Sequence, residues 1–88
     1  MSNQTSFNPR ELGRALRAER RALGLTQRAL AESAGYRRQT IVDLEAGRNV
    51  SVQTLFAALS ALGKGLRLMD ARPDPDQLSS LLDAPDED

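Results

Sequence analysis

The stretch Arg38 to Ala46, RQTIVDLEA, carries two kinds of side chain at helical spacing. Ile41 and Leu44 share a face suited to burial, while Gln39, Val42, Asp43 and Ala46 fall on the opposite face, with Arg38 at its leading flank. The second set has the chemistry of a surface that reads base edges. Arg pairs bidentately with guanine O6 and N7, Gln pairs with adenine N6 and N7, and Val can touch a thymine methyl. Asp43 is the awkward member, because phosphates repel a carboxylate unless it accepts from cytosine N4 or orients Arg38 or Gln39. Groups able to hold a phosphate backbone stand around this face. Gln27 and Arg28 open the preceding helix, Arg37 lies in the turn, Thr40 flanks the face, and Arg48 and Asn49 follow it. Each of these alone reads equally well as a solvated surface residue; their grouping around one open helix favours contact.

Other chemistries are excluded by composition. The 88 residues contain no cysteine and no histidine. This removes disulfides, thiolate and imidazole metal sites, and catalytic plans that use either side chain, so neither an enzyme nor a cofactor is expected. The net charge is zero but unevenly placed: residues 1–69 hold eleven Arg or Lys against five Asp or Glu, and residues 70–88 hold Arg72 against seven acids. A basic body attracts phosphate regardless of sequence, and an acidic tail reads as a solvated or interacting arm. The N-terminus lacks the layout of a signal peptide, and no apolar run approaches the roughly 18 residues of a membrane span. A cytoplasmic location is the expectation.

The elements that would position these residues follow from caps and apolar spacing. Residues 1–7 are polar apart from Met1 and Phe7 and read as a flexible end, and the DNA-binding domain is expected over residues 8–63. Asn8, Pro9 and Glu11 form the start signal of a first helix, with Leu12, Leu16 and Leu23 as its apolar stripe and Gly24 as its stop. Thr26 caps a short second helix, QRALAESA, with Leu30, Ala31 and Ala34 inward and Gly35 at its end. The third helix runs to about Ala46 and is stopped by Gly47. Ser51 caps a fourth in which Leu55, Leu59 and Leu62 repeat, ended by Gly63. Two short helices joined by a tight glycine turn, the second open on one side, make a helix-turn-helix from Thr26 to Gly47.

The segment GLTQRALAESAGYRRQTIVDLEAG resembles the helix-turn-helix of the phage-repressor, or XRE/Cro, family, through its TQ, LA, AG, TI and LE-x-G elements. The likeness spans residues 12–63. It implies an all-α, lambda-repressor-like domain of four or five helices, with Gln27 on phosphate and Arg38, Gln39 and Asp43 at base-reading positions. It also implies a structural ion pair between Arg20 and Glu45.

Where a fifth helix would stand, the chain has GKGLRLMDARP. Leu66, Arg67, Leu68, Met69 and Asp70 alternate imperfectly before Pro73, which predicts a short strand within residues 64–72. An isolated strand needs a partner, most simply the same strand of a second subunit, which makes it the expected homodimerisation element. The alternative is an extended segment lying over the core. This region is similar to HipB-type antitoxins, which implies a dimer that represses its own operon from a palindromic operator in double-stranded DNA and binds a HipA-type kinase toxin. A stand-alone XRE-type regulator is the alternative. Another is an interaction module that neutralises a kinase-like partner through the acidic tail, residues 73–88. There Asp74, Pro75 and Gln77 repeat the capping pattern ahead of Leu78, Leu81 and Leu82.

Overall fold

The computed structural model describes residues 5–71. Residues 1–4 and the acidic tail, with its leucine pattern, lie outside the described residues. Four helices follow one another: α1 (Pro9–Ala22), α2 (Gln27–Ala34), α3 (Arg38–Glu45) and α4 (Val52–Ala61). Helix α2 packs against both α3 and α4, and α1 packs against α3.

Local chemistry sets most of the boundaries. Asn8 Oδ1 accepts from the Glu11 amide at 2.8 Å, and the Glu11 carboxylate reaches back to the Phe7 amide at 2.7 Å. The acid thus caps one residue further out than a standard capping box. Thr26 Oγ1 accepts from Ala29 N and Ser51 Oγ from Thr54 N, both at 3.0 Å. Helix α3 differs: Arg37 stands at its N-cap without a side-chain cap bond. The four helix ends close alike, by bonds from Leu25, Tyr36, Arg48 and Lys64 N–H groups to the Arg20, Ala31, Asp43 and Leu59 carbonyls. Each is the outer bond of a Schellman turn around a glycine. At Gly35, which joins the two helices of the motif, φ is 80°, a left-handed conformation that glycine adopts without steric cost.

The core is built from Leu16 of α1, Leu30 and Ala31 of α2, Ile41 and Leu44 of α3, and Ala58, Leu59 and Leu62 of α4 and its cap. Leu12, Leu25, Val50 and Leu55 pack around it. Leu23, expected on the inward stripe, is 55% exposed, because it is the C-cap where the chain turns out of the helix, and Leu25 packs against the core instead.

The segment after α4 returns past α1. Lys64 Nζ lies 3.4 Å from Glu19 Oε2, and Thr5 Oγ1 lies 3.6 Å from Met69 Sδ. An open, mainly apolar groove lies between α1 and α4, lined by Leu12, Leu16, Leu55 and Leu59 and bordered by Phe7 and Leu66. The strand expected at Leu66 to Asp70 is not formed in the single chain. Among the described residues there is no strand, so no second extended segment offers the ladder that a strand requires. Leu68 is 99% exposed, and Leu66 and Met69 are also exposed.

Candidate nucleic-acid interface

The inner face of α3 is fixed by two close contacts with α1. Gly13 is buried, and a Cβ at that position would lie 2.5 Å from the Glu45 carbonyl oxygen and 2.6 Å from that of Leu44. Below the turn, a Cβ on Gly47 would lie 2.7 Å from Arg10 Cα, and Gly47 has φ of 79°. Only glycine meets both the space and the conformation there. The N-terminal half of α1 therefore touches the C-terminal end of α3 backbone to backbone.

About two turns further along the same face of α1 is Arg20, one of three buried polar residues of the domain among those described, with Glu45 and Thr54. Arg20 Nε donates to Glu45 Oε2 at 2.6 Å and Nη2 to Oε1 at 3.1 Å, a bidentate pair. Nη1 donates to the Leu25 carbonyl at 2.7 Å, so the guanidinium also ties α3 to the loop that enters α2. Among the described residues no buried side-chain N or O atom lacks a partner.

Gln27 continues this network outward. Its Nε2 donates to Glu45 Oε1 at 3.1 Å, and its Oε1 accepts from Arg38 Nη2 at 3.2 Å. The first residue of α2 thus bridges the buried pair and the Arg at the head of α3. Expected on a phosphate, its side chain has both ends engaged within the protein, whereas its backbone N–H stands in the first turn of α2.

The outer face of α3 carries Gln39, Val42, Asp43 and Ala46, away from Ile41, Leu44 and Glu45, which are buried. Gln39 Nε2 donates to Asp43 Oδ1 at 3.0 Å, and Arg48 Nη1 meets the same oxygen at 2.9 Å. Of the two partners expected for Asp43, Gln39 is the one it holds. The Gln39 hydrogen bond, then that of Arg48, hold its carboxyl below the ordinary value of 3.8. What this adds to stability is complete above that value and fades as pH falls through the lowered one. At neutral pH the carboxylate is charged and its charge is matched by Arg48. Arg28, Arg37, Arg38, Arg48 and Asn49 are exposed and Thr40 is half-buried, so cationic and polar groups in α2, before α3 and after it are open to solvent.

Two features of this arrangement were not visible in the residue pattern. Gly13 has no turn or cap to explain it, and its only sequence signal is a glycine inside a helix interior, where it costs about 1 kcal/mol relative to alanine. The Asp43–Arg48 pair crosses the end of α3 and depends on the turn at Gly47 bringing Arg48 back over the helix.

Known proteins match this geometry. The helix-turn-helix family model matches residues 16–69. Antitoxin HipB of Escherichia coli O6:H1 (strain CFT073) is 34% identical over 73 residues, which cover 82% of this chain and 78% of HipB. A HipB-O4 20mer complex superposes with a TM-score of 0.74 at 31% identity, covering 78% of this chain and 99% of that one. A HipA-HipB-O2-O3 complex gives 0.73 at 30% identity, with the same coverage. With four helices in the matching arrangement and a family match over more than half of its length, the chain belongs to the XRE-type helix-turn-helix family.

Proposed function

We propose that this chain is a sequence-specific DNA-binding transcriptional repressor that acts as a homodimer on a palindromic operator and serves as the autoregulatory antitoxin of a HipA/HipB-like pair. The carrying observation is the outer face of α3, where Arg38, Gln39, Val42 and Asp43 stand clear of the core, with exposed Arg28 in the preceding helix, Arg37 at the N-cap and Arg48 and Asn49 just after the helix. The likeness to HipB, solved with 20mers and together with HipA, supports both a nucleic-acid ligand and a HipA-type toxin as partner. No enzymatic role is assigned. No helix among the described residues is long and apolar enough to cross a membrane.

Reading depends on Arg38 and Gln39, and positioning on backbone amides at the start of α2 with Arg28, Arg37, Thr40 and Asn49. Fluorescence anisotropy on the DNA upstream of the chain's own gene, against a scrambled duplex, tests the proposal. Affinity for both should fall steeply with salt, with a gap between them that persists. Equal affinity at every salt concentration rules out specific reading. Arg38→Ala should cost about 1–3 kcal/mol on the matched duplex and little on the scrambled one, so that the gap narrows.

We assign the homodimer contact to residues 64–72, with Leu66 to Asp70 pairing with their equivalents in a second copy. Half-sites would then lie roughly 34 Å apart, about one helical turn of DNA. Leu68 is 99% exposed in the single chain, so Leu68→Asp should change monomer stability by no more than about 0.5 kcal/mol. It should nevertheless raise the dimer dissociation constant by about tenfold or more in sedimentation equilibrium, since it sets a charge in an interface. An unchanged dissociation constant would place the interface elsewhere.

A further inference from the structure

Gln39 and Asp43 on the outer face of α3 and Arg48 just after it form a linked set. Asp43 Oδ1 accepts from Gln39 Nε2 at 3.0 Å and from Arg48 Nη1 at 2.9 Å, and among the described residues Oδ2 accepts nothing. An ionised carboxylate accepts hydrogen bonds and cannot donate them. The Gln39 amide must therefore keep its Nε2 towards Asp43 and its Oε1 away from it. A free glutamine amide can turn over and offer either donors or an acceptor to a base edge. Here that turn would set Oε1 against a charged carboxylate and break the bond at Asp43.

We propose that Asp43 is a positioning residue that locks the Gln39 amide so that α3 reads an exocyclic amine, adenine N6 or cytosine N4, at the base pair it faces, with Arg48 as the counter-charge that makes the carboxylate tolerable there. The inference rests on the DNA reading proposed above and specifies which base edges that reading selects. Gln39 Oε1 and Asp43 Oδ2 are both acceptors, and the Nε2 hydrogen of Gln39 that is not on Asp43 is the one donor the pair has left. In the major groove adenine and cytosine offer amine donors, while guanine presents O6 and N7 and thymine presents O4, all acceptors. With two acceptors against one donor, the locked pair favours the first two over the others. Arg48, with one nitrogen on Asp43, cancels the carboxylate's charge; without it, Asp43 would face the phosphates bare.

The test uses the full chain as wild type, Asp43→Asn, Arg48→Ala and the double variant, each selected against a randomised duplex library and then titrated on the enriched duplexes. The wild type should exclude guanine and thymine by about tenfold or more at one position of each half-site. Asparagine has nearly the size of aspartate and can donate as well as accept, so Asp43→Asn should admit both bases at that position and leave the other positions unchanged. Arg48→Ala should weaken binding to every sequence, and by about tenfold more with Asp43 present than in the Asp43→Asn background. An unchanged preference in Asp43→Asn, or an equal cost of Arg48→Ala in both backgrounds, overturns the proposal while leaving DNA reading intact. A wild-type protein that enriches no sequence overturns the DNA reading itself, and this inference with it.

Discussion

Arg20→Ala should lower the free energy of unfolding by about 3–5 kcal/mol in urea titrations followed by circular dichroism. The substitution leaves the Glu45 carboxylate, its side chain 4% exposed, with Gln27 as its one remaining side-chain partner, and it leaves the Leu25 carbonyl without its guanidinium donor. A domain of this size has on the order of 5–15 kcal/mol of stability in total, so the variant should lie close to the unfolding threshold. The paired replacement Arg20→Met with Glu45→Leu separates charge from packing. It removes both ions at once and should recover most of the loss. It should not recover base discrimination, because Gln27 would lose the carboxylate that turns its oxygen towards Arg38. An Arg20→Ala variant destabilised by less than about 1 kcal/mol would mean that the pair is far better hydrated than its burial indicates.

Gly13→Ala should be destabilising by about 1–3 kcal/mol, the opposite sign from the usual effect of this change within a helix. The added methyl group would lie 2.5 Å and 2.6 Å from two carbonyl oxygens of α3. Those are backbone atoms, and they cannot yield unless α3 shifts as a whole. The same denaturation experiment checks this, and operator affinity gives a second readout, since displacement of α3 moves the reading face with it. Gly65→Ala, at an exposed position with no atom within 4 Å of the new methyl group, is the control and should change stability by no more than about 0.5 kcal/mol. A Gly13→Ala protein as stable as the wild type would show that α1 and α3 can separate without loss.

The residue pattern reveals much of the fold, for a physical reason. Caps and terminators act over three to five residues, so Asn8, Thr26, Ser51 and the glycines after each helix announce the ends where the structure has them. The two faces of α3 are legible for the same reason, since Ile41 and Leu44 bury as the helical period requires. What depends on distant parts of the chain is less legible. Leu23 satisfies the period but sits where the helix has already ended, and Leu25 takes the contact with the core. Gly13 answers to the approach of another helix, which no local spacing encodes. The same holds for Gln27, whose two hydrogen-bond partners come from opposite ends of α3. The strand expected at Leu66 to Asp70 is absent from the chain by itself, where these residues take no regular structure and Leu66, Leu68 and Met69 are exposed, because the local alternation carries no information on what would pair with them.

The division of α3 between an inner face held by Gly13 and Arg20 and an outer face free of the core bears on how such a domain diverges. Val42 and Ala46 make no side-chain hydrogen bond and lie outside the buried core, so a duplicated gene can change them without loosening the fold. Arg38, Gln39, Asp43 and Arg48 are less free, because each is tied to a neighbour that would have to change with it. Grafting another recognition helix onto this scaffold should accordingly succeed when Leu44, Glu45 and Gly47 are kept and fail when they are exchanged.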